Sequence, residues 1–391
     1  MKKNKRNNKF LKNNLLGILH AISEEQSMEG TMLKQVYNFP KPVMEMINWY
    51  SENDLFTSID KVHSVSSLSE LNKLNSSERI DKITNLRLNL KKEEWGLLSR
   101  NTLLLNFQDL INLEIKNIES IPKDIFELSS LESLKITSAR DLKKVDPEIK
   151  ELKKLKHLQL IAANKLENLP IELTELPGLK SLEITEATKL ISIENVISKL
   201  QTVEYLKLSG NCDIPESISG LDSLRFLEIT HYNSIALLPY KRLYEMTNLR
   251  VLGITTKRRE DLRGISNLSN LTTLNLHSSS LTEEIGNLKN LESLWIQNCE
   301  EITCPYEFSQ LHKLKGLQIS SSYNLIEAPL FIPTLVNLVY LKFMGCPKLC
   351  RFSSEYRNFI TPQLIELTRN DLLTKIPKEL MHLKNRIKIN K

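Results

Sequence analysis

The chain has 391 residues, 41% apolar and 26% charged, a balance that folds and stays in water and excludes a disordered polymer. A net charge of +6 over this length does not call for a nucleic-acid partner, and eleven Gly are too few for a propeller or a chain built on phosphate loops. No apolar run reaches about eighteen residues, so no membrane-spanning helix is expected.

In chain order, residues 1–12 carry Lys2, Lys3, Lys5, Arg6, Lys9 and Lys12 and read as a basic, solvated tail. A phosphate or anionic-lipid contact is its functional alternative. The adjoining "LLGILHA" is too short, and too poor in a small-x-small cleavage site, for a secretory signal. Residues 13–82 do not repeat. They read as a helical N-terminal cap, broken at Pro40 and Pro42, that covers the open end of a repeated core.

From residue 83 onward one pattern dominates. L-x-x-L-x-L starts at Ile83, Leu110, Leu131, Leu155, Leu179, Val203, Leu224, Leu249, Leu271, Leu291, Leu314, Leu338 and, degenerately, Pro362. From Leu110 the starts are 20 to 25 residues apart. L-x-L is the period-two core of a short strand whose two Leu enter one layer. A bend comes next, with Asn164, Cys212, Ser280, Cys299, Cys346 and Asn370 in it. An inward Asn there can bond free backbone groups, and Cys can fill the slot as a small apolar residue. The chain then returns through pairs such as Ile121-Pro122, Leu169-Pro170, Ile214-Pro215, Leu238-Pro239 and Ile376-Pro377, where Pro opens a short helical or 3₁₀ segment.

These units resemble leucine-rich repeats, in particular the LPxxIxxLxxL class of 23–24 residues found in intracellular plant and bacterial proteins. The resemblance implies an α/β fold: a curved horseshoe solenoid with a parallel sheet on the concave face and short helices or 3₁₀ turns on the convex face. About thirteen units occupy residues 83–385, and 386–391 form a basic C-terminal tail. The charged return "TKRREDLRG" after Leu249 departs from the pattern. Before the repeats, Phe39-Pro40, Ile47, Asp54-Leu55 and Val62 resemble the landmarks of an F-box, which implies an adaptor of a ubiquitin ligase as the alternative to a cap.

No nucleotide, hydrolase or zinc-protease motif occurs, and the repeat frame accounts for all five Cys as core or turn residues. A zinc site from Cys299, Cys304 and His312 lacks the short ligand pairs such sites use. No catalytic residue, metal or cofactor is expected, and the Cys usage fits a reducing compartment, a cytoplasmic one or that of a host cell. There remains protein binding by a monomer, or regulation of a partner enzyme. The middle x of each triplet faces outward and mostly alternates in charge. Trp295 interrupts that row, and Tyr205, Phe226 and Tyr340 stand two residues before theirs, one place earlier on the same face, with His231, Tyr232 and His277 at strand ends. Large rings on a polar face are what binding hot spots are made of, so these seven residues are the candidate contact surface.

Overall fold

The computed structural model describes residues 62–77, 80–231, 238–255, 262–277, 281–298 and 305–390. They fall into two compact units, divided between Leu243 and Tyr244. The first unit contains β1 (His63–Val65), β2 (Asn85–Leu88), β3 (Asn112–Lys116), β4 (Ser133–Thr137), β5 (His157–Leu160), β6 (Ser181–Ala187), β7 (Tyr205–Gly210) and β8 (Phe226–His231). The second contains β9 (Val251–Thr255), β10 (Thr273–His277), β11 (Ser293–Gln297), β12 (Gly316–Ser320), β13 (Tyr340–Met344), β14 (Leu364–Thr368) and β15 (Ile387–Asn390). Within each unit the strands lie parallel in sequence order, and β2 to β14 each begin two residues after the start of their repeat. Register follows the repeat: Leu134 stands beside Leu158 and Leu158 beside Leu182, all fully buried.

The return segments are 3₁₀ helices, mostly of three to five residues, and several have a Pro as N-cap. In most of them an apolar residue, such as Ile125, Leu173, Ile218 or Phe308, reaches the core at 0% exposure. True helices occur at α1 (Leu68–Asn75), α2 (Lys92–Asn101), α3 (Glu194–Ile197) and α4 (Tyr240–Leu243). Ser67 caps α1 by accepting from the Glu70 amide, and Glu94 ties α2 to it by accepting from the Leu68 amide at 2.9 Å.

Eight of the coils bend at one recurring position, seven residues after the repeat start. Asn117, Ser138, Ala162, Glu186, Asn298, Ser321 and Arg369 all have φ between 50° and 59° there, and Gly345 has φ 64°. Left-handed backbone disfavours most of these residue types by about 1 kcal/mol, so the surrounding ladder imposes the turn.

The buried turn slot comes one residue later. Asn370 fills it: its Oδ1 accepts from the Cys346 amide and its Nδ2 donates to the Phe343 carbonyl, both at 2.9 Å. Cys346 is fully buried, and Cys212 is 5% exposed in a coil displaced by a bulge between β6 and β7. Asn164 is a correction. The slot in its coil holds Ala163, fully buried, while Asn164 lies half-buried beside it and donates to the Glu186 carbonyl at 3.3 Å. Ser280 and Cys299 lie outside the described residues.

The sheet also passes the limits read from the repeats. β1 lies in the stretch expected to be only a helical cap, and β15 in the stretch expected to be a tail. Both strands lack the full triplet. Pairing to β2 and β14 holds them in register instead. The tail at 1–12 and the F-box landmarks up to Leu55 lie outside the described residues, while Val62 is half-exposed.

Candidate interaction surface

Because side chains alternate along a strand, Leu206 and Leu208 enter the core while Tyr205, Lys207 and Ser209 stand on the other face of β7. The same rule places Phe226, Glu228 and Thr230 on β8, and Ser181, Glu183 and Thr185 on β6. Parallel strands at about 4.8 Å bring like positions of neighbouring coils into direct contact.

In the first unit this contact builds a ring pair and a charge ladder side by side. Tyr205 and Phe226 stack with centroids 4.2 Å apart and an interplanar angle of 25°. The Lys207 ammonium sits between two carboxylates, 3.8 Å from Glu183 Oε1 and 3.4 Å from Glu228 Oε1. The Gln159 amide donates to Glu183 at 2.6 Å, and the Arg87 guanidinium donates to Glu114 at 2.7 Å further along the row. A second row, one position before the rings, pairs Glu132 with Lys156 at 2.9 Å and Lys180 with Glu204 at 2.5 Å. Burial raises the Glu228 carboxyl above its ordinary range, with the Lys207 ammonium opposing and the Glu183 charge reinforcing.

In the second unit, Tyr340 donates its hydroxyl to Glu366 Oε2 at 2.9 Å, and Lys342 stands 3.9 Å from the same oxygen. Burial lowers the Lys342 ammonium, the Glu366 charge opposing. Burial together with that carboxylate raises the Tyr340 hydroxyl well above its ordinary value.

The expectation of exposed rings needs correcting. Tyr205 is 2% exposed, Trp295 8% and Phe226 9%, although all three stand on the face away from the leucine core. Tyr205 and Phe226 cover one another. His231 is also buried, 4% exposed; desolvation lowers its imidazole pKa, opposed by the Cys212 carbonyl and Asp213. Half-buried His277 and Tyr340 are the more accessible candidates, and Tyr340 is held by Glu366. Tyr232 lies outside the described residues. Tyr205, Phe226 and His231 belong to the first unit, and His277, Trp295 and Tyr340 to the second. Sequence reasoning missed the lysine clasped by two acids. The alternation of Glu183, Lys207 and Glu228 at one repeat position was its visible signal.

No helix among the described residues is long and apolar enough to cross a membrane.

Parallel strands in sequence order, one return segment per strand and a leucine layer shared between coils define a leucine-rich-repeat fold. The fold is shared with a leucine-rich-repeat protein of Leptospira interrogans, with TM-score 0.52 and 22% identity over 85% of this chain and 100% of that one. An internalin, inlF, of Listeria monocytogenes superposes with TM-score 0.53 and 17% identity, covering 74% of this chain and 82% of the other. In sequence, 133 residues, 31% of the chain, are 34% identical to a probable disease resistance protein of Arabidopsis thaliana. That match spans 17% of the plant protein's length. No family model matches the chain.

Proposed function

We propose that the chain is a non-enzymatic protein-recognition scaffold and that its partner docks on the face of the sheet away from the leucine core. The observation that supports this reading is the internal pairing of that face. Its rings stack on each other and its charges neutralise each other through β5–β8, so the surface is rigid before any partner arrives. A preformed surface loses little side-chain entropy on binding, which is what a recognition platform needs. The accessible contacts are then half-exposed polar residues on the same face, Lys116, Lys135 and Thr230 among them, rather than the rings themselves.

The test pairs Lys135→Glu with Thr230→Arg, two changes at half-exposed positions on the outward face. The variant is expected to melt with the parent and to lose the proteins that the parent captures from a lysate. Capture of the same proteins by a correctly folded variant would move recognition off this face. The LRR regulator of a partner enzyme is the same docking event, with a change in the bound enzyme's activity as its consequence.

A further inference from the structure

The return segments of the second unit bury their residues with a period of three. Counted from Glu283, Tyr306, Leu330, Ser354 and Lys378, the third and sixth residues all enter the core, Phe308 and Leu311 or Ile332 and Leu335 for example, and none is more than 5% exposed. Side chains three apart on a 3₁₀ turn eclipse, so the first, fourth and seventh residues share one outer side. Neighbouring returns are fastened to one another. The Phe308 and Phe331 rings meet edge to face at 5.2 Å, the Asn337 amide donates to the His312 carbonyl at 2.6 Å, and the Arg386 guanidinium donates to the Ile360 carbonyl at 2.9 Å.

On that outer side stand Tyr306, Leu330, Val336, Ile360 and Met381, each 50–76% exposed. Side chains lining a recess would be shielded; these stand out from the surface. The repeat does not require them. In the first unit the same positions hold Lys123, Lys150, Lys153, Glu216 and Asp222, and of the large apolar residues only Ile171 is exposed there. Charge on the apolar side is unequal: Lys289, Arg357, Lys378 and Lys384 stand against one acid, Glu283. Glu307 and Glu355 follow one residue after the first position, about a third of a turn away.

We propose that this outer side of the second unit rests on the surface of an anionic lipid bilayer without crossing it. The apolar side chains enter the boundary between headgroups and acyl chains, and Tyr306 keeps its hydroxyl at headgroup level. Arg357, Lys378 and Lys384 meet the negative headgroups while their stems lie along the apolar residues. A fluid bilayer needs no complementary shape, so protruding side chains suffice. A partner helix, by contrast, lays its apolar side into a groove. A second copy docked through the same side would bring the cations of both chains together. This contact is independent of the sheet-face reading above, and either can fail alone.

The experiment measures co-sedimentation of the full chain with vesicles of phosphatidylcholine alone and of phosphatidylcholine mixed with phosphatidylserine. The parent is expected to bind the mixed vesicles about tenfold more tightly, because each basic side chain near an anionic surface adds to the attraction. Leu330→Ser/Val336→Ser/Ile360→Ser should melt with the parent, its changes being exposed, and bind the mixed vesicles about tenfold more weakly. Arg357→Gln/Lys384→Gln should lose most of the preference for phosphatidylserine. Brominated acyl chains in the mixed vesicles should quench the added emission of Leu330→Trp, which adsorption by charge alone does not achieve. Failure of the parent to bind the mixed vesicles overturns the proposal, as does emission of Leu330→Trp that the bromines leave unchanged. Full binding by the serine variant also overturns it and leaves the lipid contact to other residues, such as the basic ones at 1–12. Self-association of the parent that the serine variant abolishes would assign this side to a second copy and overturn the proposal too. So would capture of a helical peptide, Glu along one side and Leu along the other, by the parent but not by the serine variant when neither binds vesicles.

Discussion

Replacing Lys207 by Met tests whether the outward face is held together as its geometry indicates. The ammonium lies 3.4 Å from Glu228 and 3.8 Å from Glu183, with side-chain exposures of 9%, 16% and 13% for the lysine and the two acids. At an effective dielectric constant near 20 those contacts are worth about 5 and about 4 kcal/mol before desolvation is subtracted. Desolvation of three groups takes back most of that sum, so the triad stabilises modestly as a whole. Removing only the lysine is another matter. It strands two like charges at low exposure, and breaking a buried pair this way costs about 3–5 kcal/mol. Met keeps the stem's packing, so the loss reports the charge. The sign of the pH effect is set by Glu228. Its folded pKa is already raised by burial and by Glu183, and loses its main opposing influence in the variant. A carboxyl raised on folding destabilises fully above its folded pKa and not at all below its unfolded value near 4.5. The variant's deficit should therefore be largest at pH 7 and shrink as pH falls toward 4.5. Urea unfolding midpoints of parent and variant across that range measure it, with Lys207→Met/Glu228→Gln expected to recover part of the loss. A deficit below about 1 kcal/mol at pH 7, or one that does not change with pH, would refute the clasp.

Four further outcomes rest on local geometry. Phe226→Ala should lower stability by about 3 kcal/mol, because it removes the ring stacked 4.2 Å from Tyr205; thermal unfolding checks this, and an unchanged melting temperature would mean the ring is a free contact residue after all. Gly286→Ala should destabilise by about 1–3 kcal/mol or more, since its new methyl would lie 2.3 Å from the Glu307 carbonyl oxygen and force two packed return segments apart. Asn370→Ala leaves the Cys346 amide and the Phe343 carbonyl buried without partners and should cost about 2–4 kcal/mol, whereas Asn370→Asp should retain the acceptor half of that pair. In thiol alkylation at pH 8 with mass mapping of the products, exposed Cys350 should react well before Cys212 and Cys346, whose thiols burial pushes up to about 12 and about 11.

Much of the fold was legible because leucine spacing is imposed by the core. A residue at L-x-L must be apolar to enter the layer, so the strands from β3 to β14 match the triplets almost to the residue. The Pro-led returns were legible for a similar reason, since Pro fixes the φ that opens a 3₁₀ turn. Legibility failed where the neighbours decide. β1 and β15 are strands because an adjacent strand pairs with them, and neither sequence carries the full triplet. The bend seven residues into eight of the coils was equally hidden. Glycine or Asn would have announced a left-handed residue, but Ser138, Ala162, Glu186 and Arg369 hold the same φ. Asn164 misled in the opposite direction: its type suited the buried slot, yet the phase of the coil put Ala163 there.

The rings show most plainly what one chain position does not reveal. Alternation correctly assigns Tyr205, Phe226 and Trp295 to the outward face, and exposure is the natural inference from that assignment. In a stack of parallel strands the inference fails, because each outward side chain has neighbours about 4.8 Å away on the adjoining rungs. Two large side chains at the same repeat position must lean on each other, and the pair then shelters itself, as Tyr205 and Phe226 do. Charges obey the same geometry, so a lysine between two glutamates is neutralised by its own chain. Outwardness and availability are thus separate properties on a repeat sheet. Availability is greatest where the series is interrupted, since only there does a side chain lack its next rung.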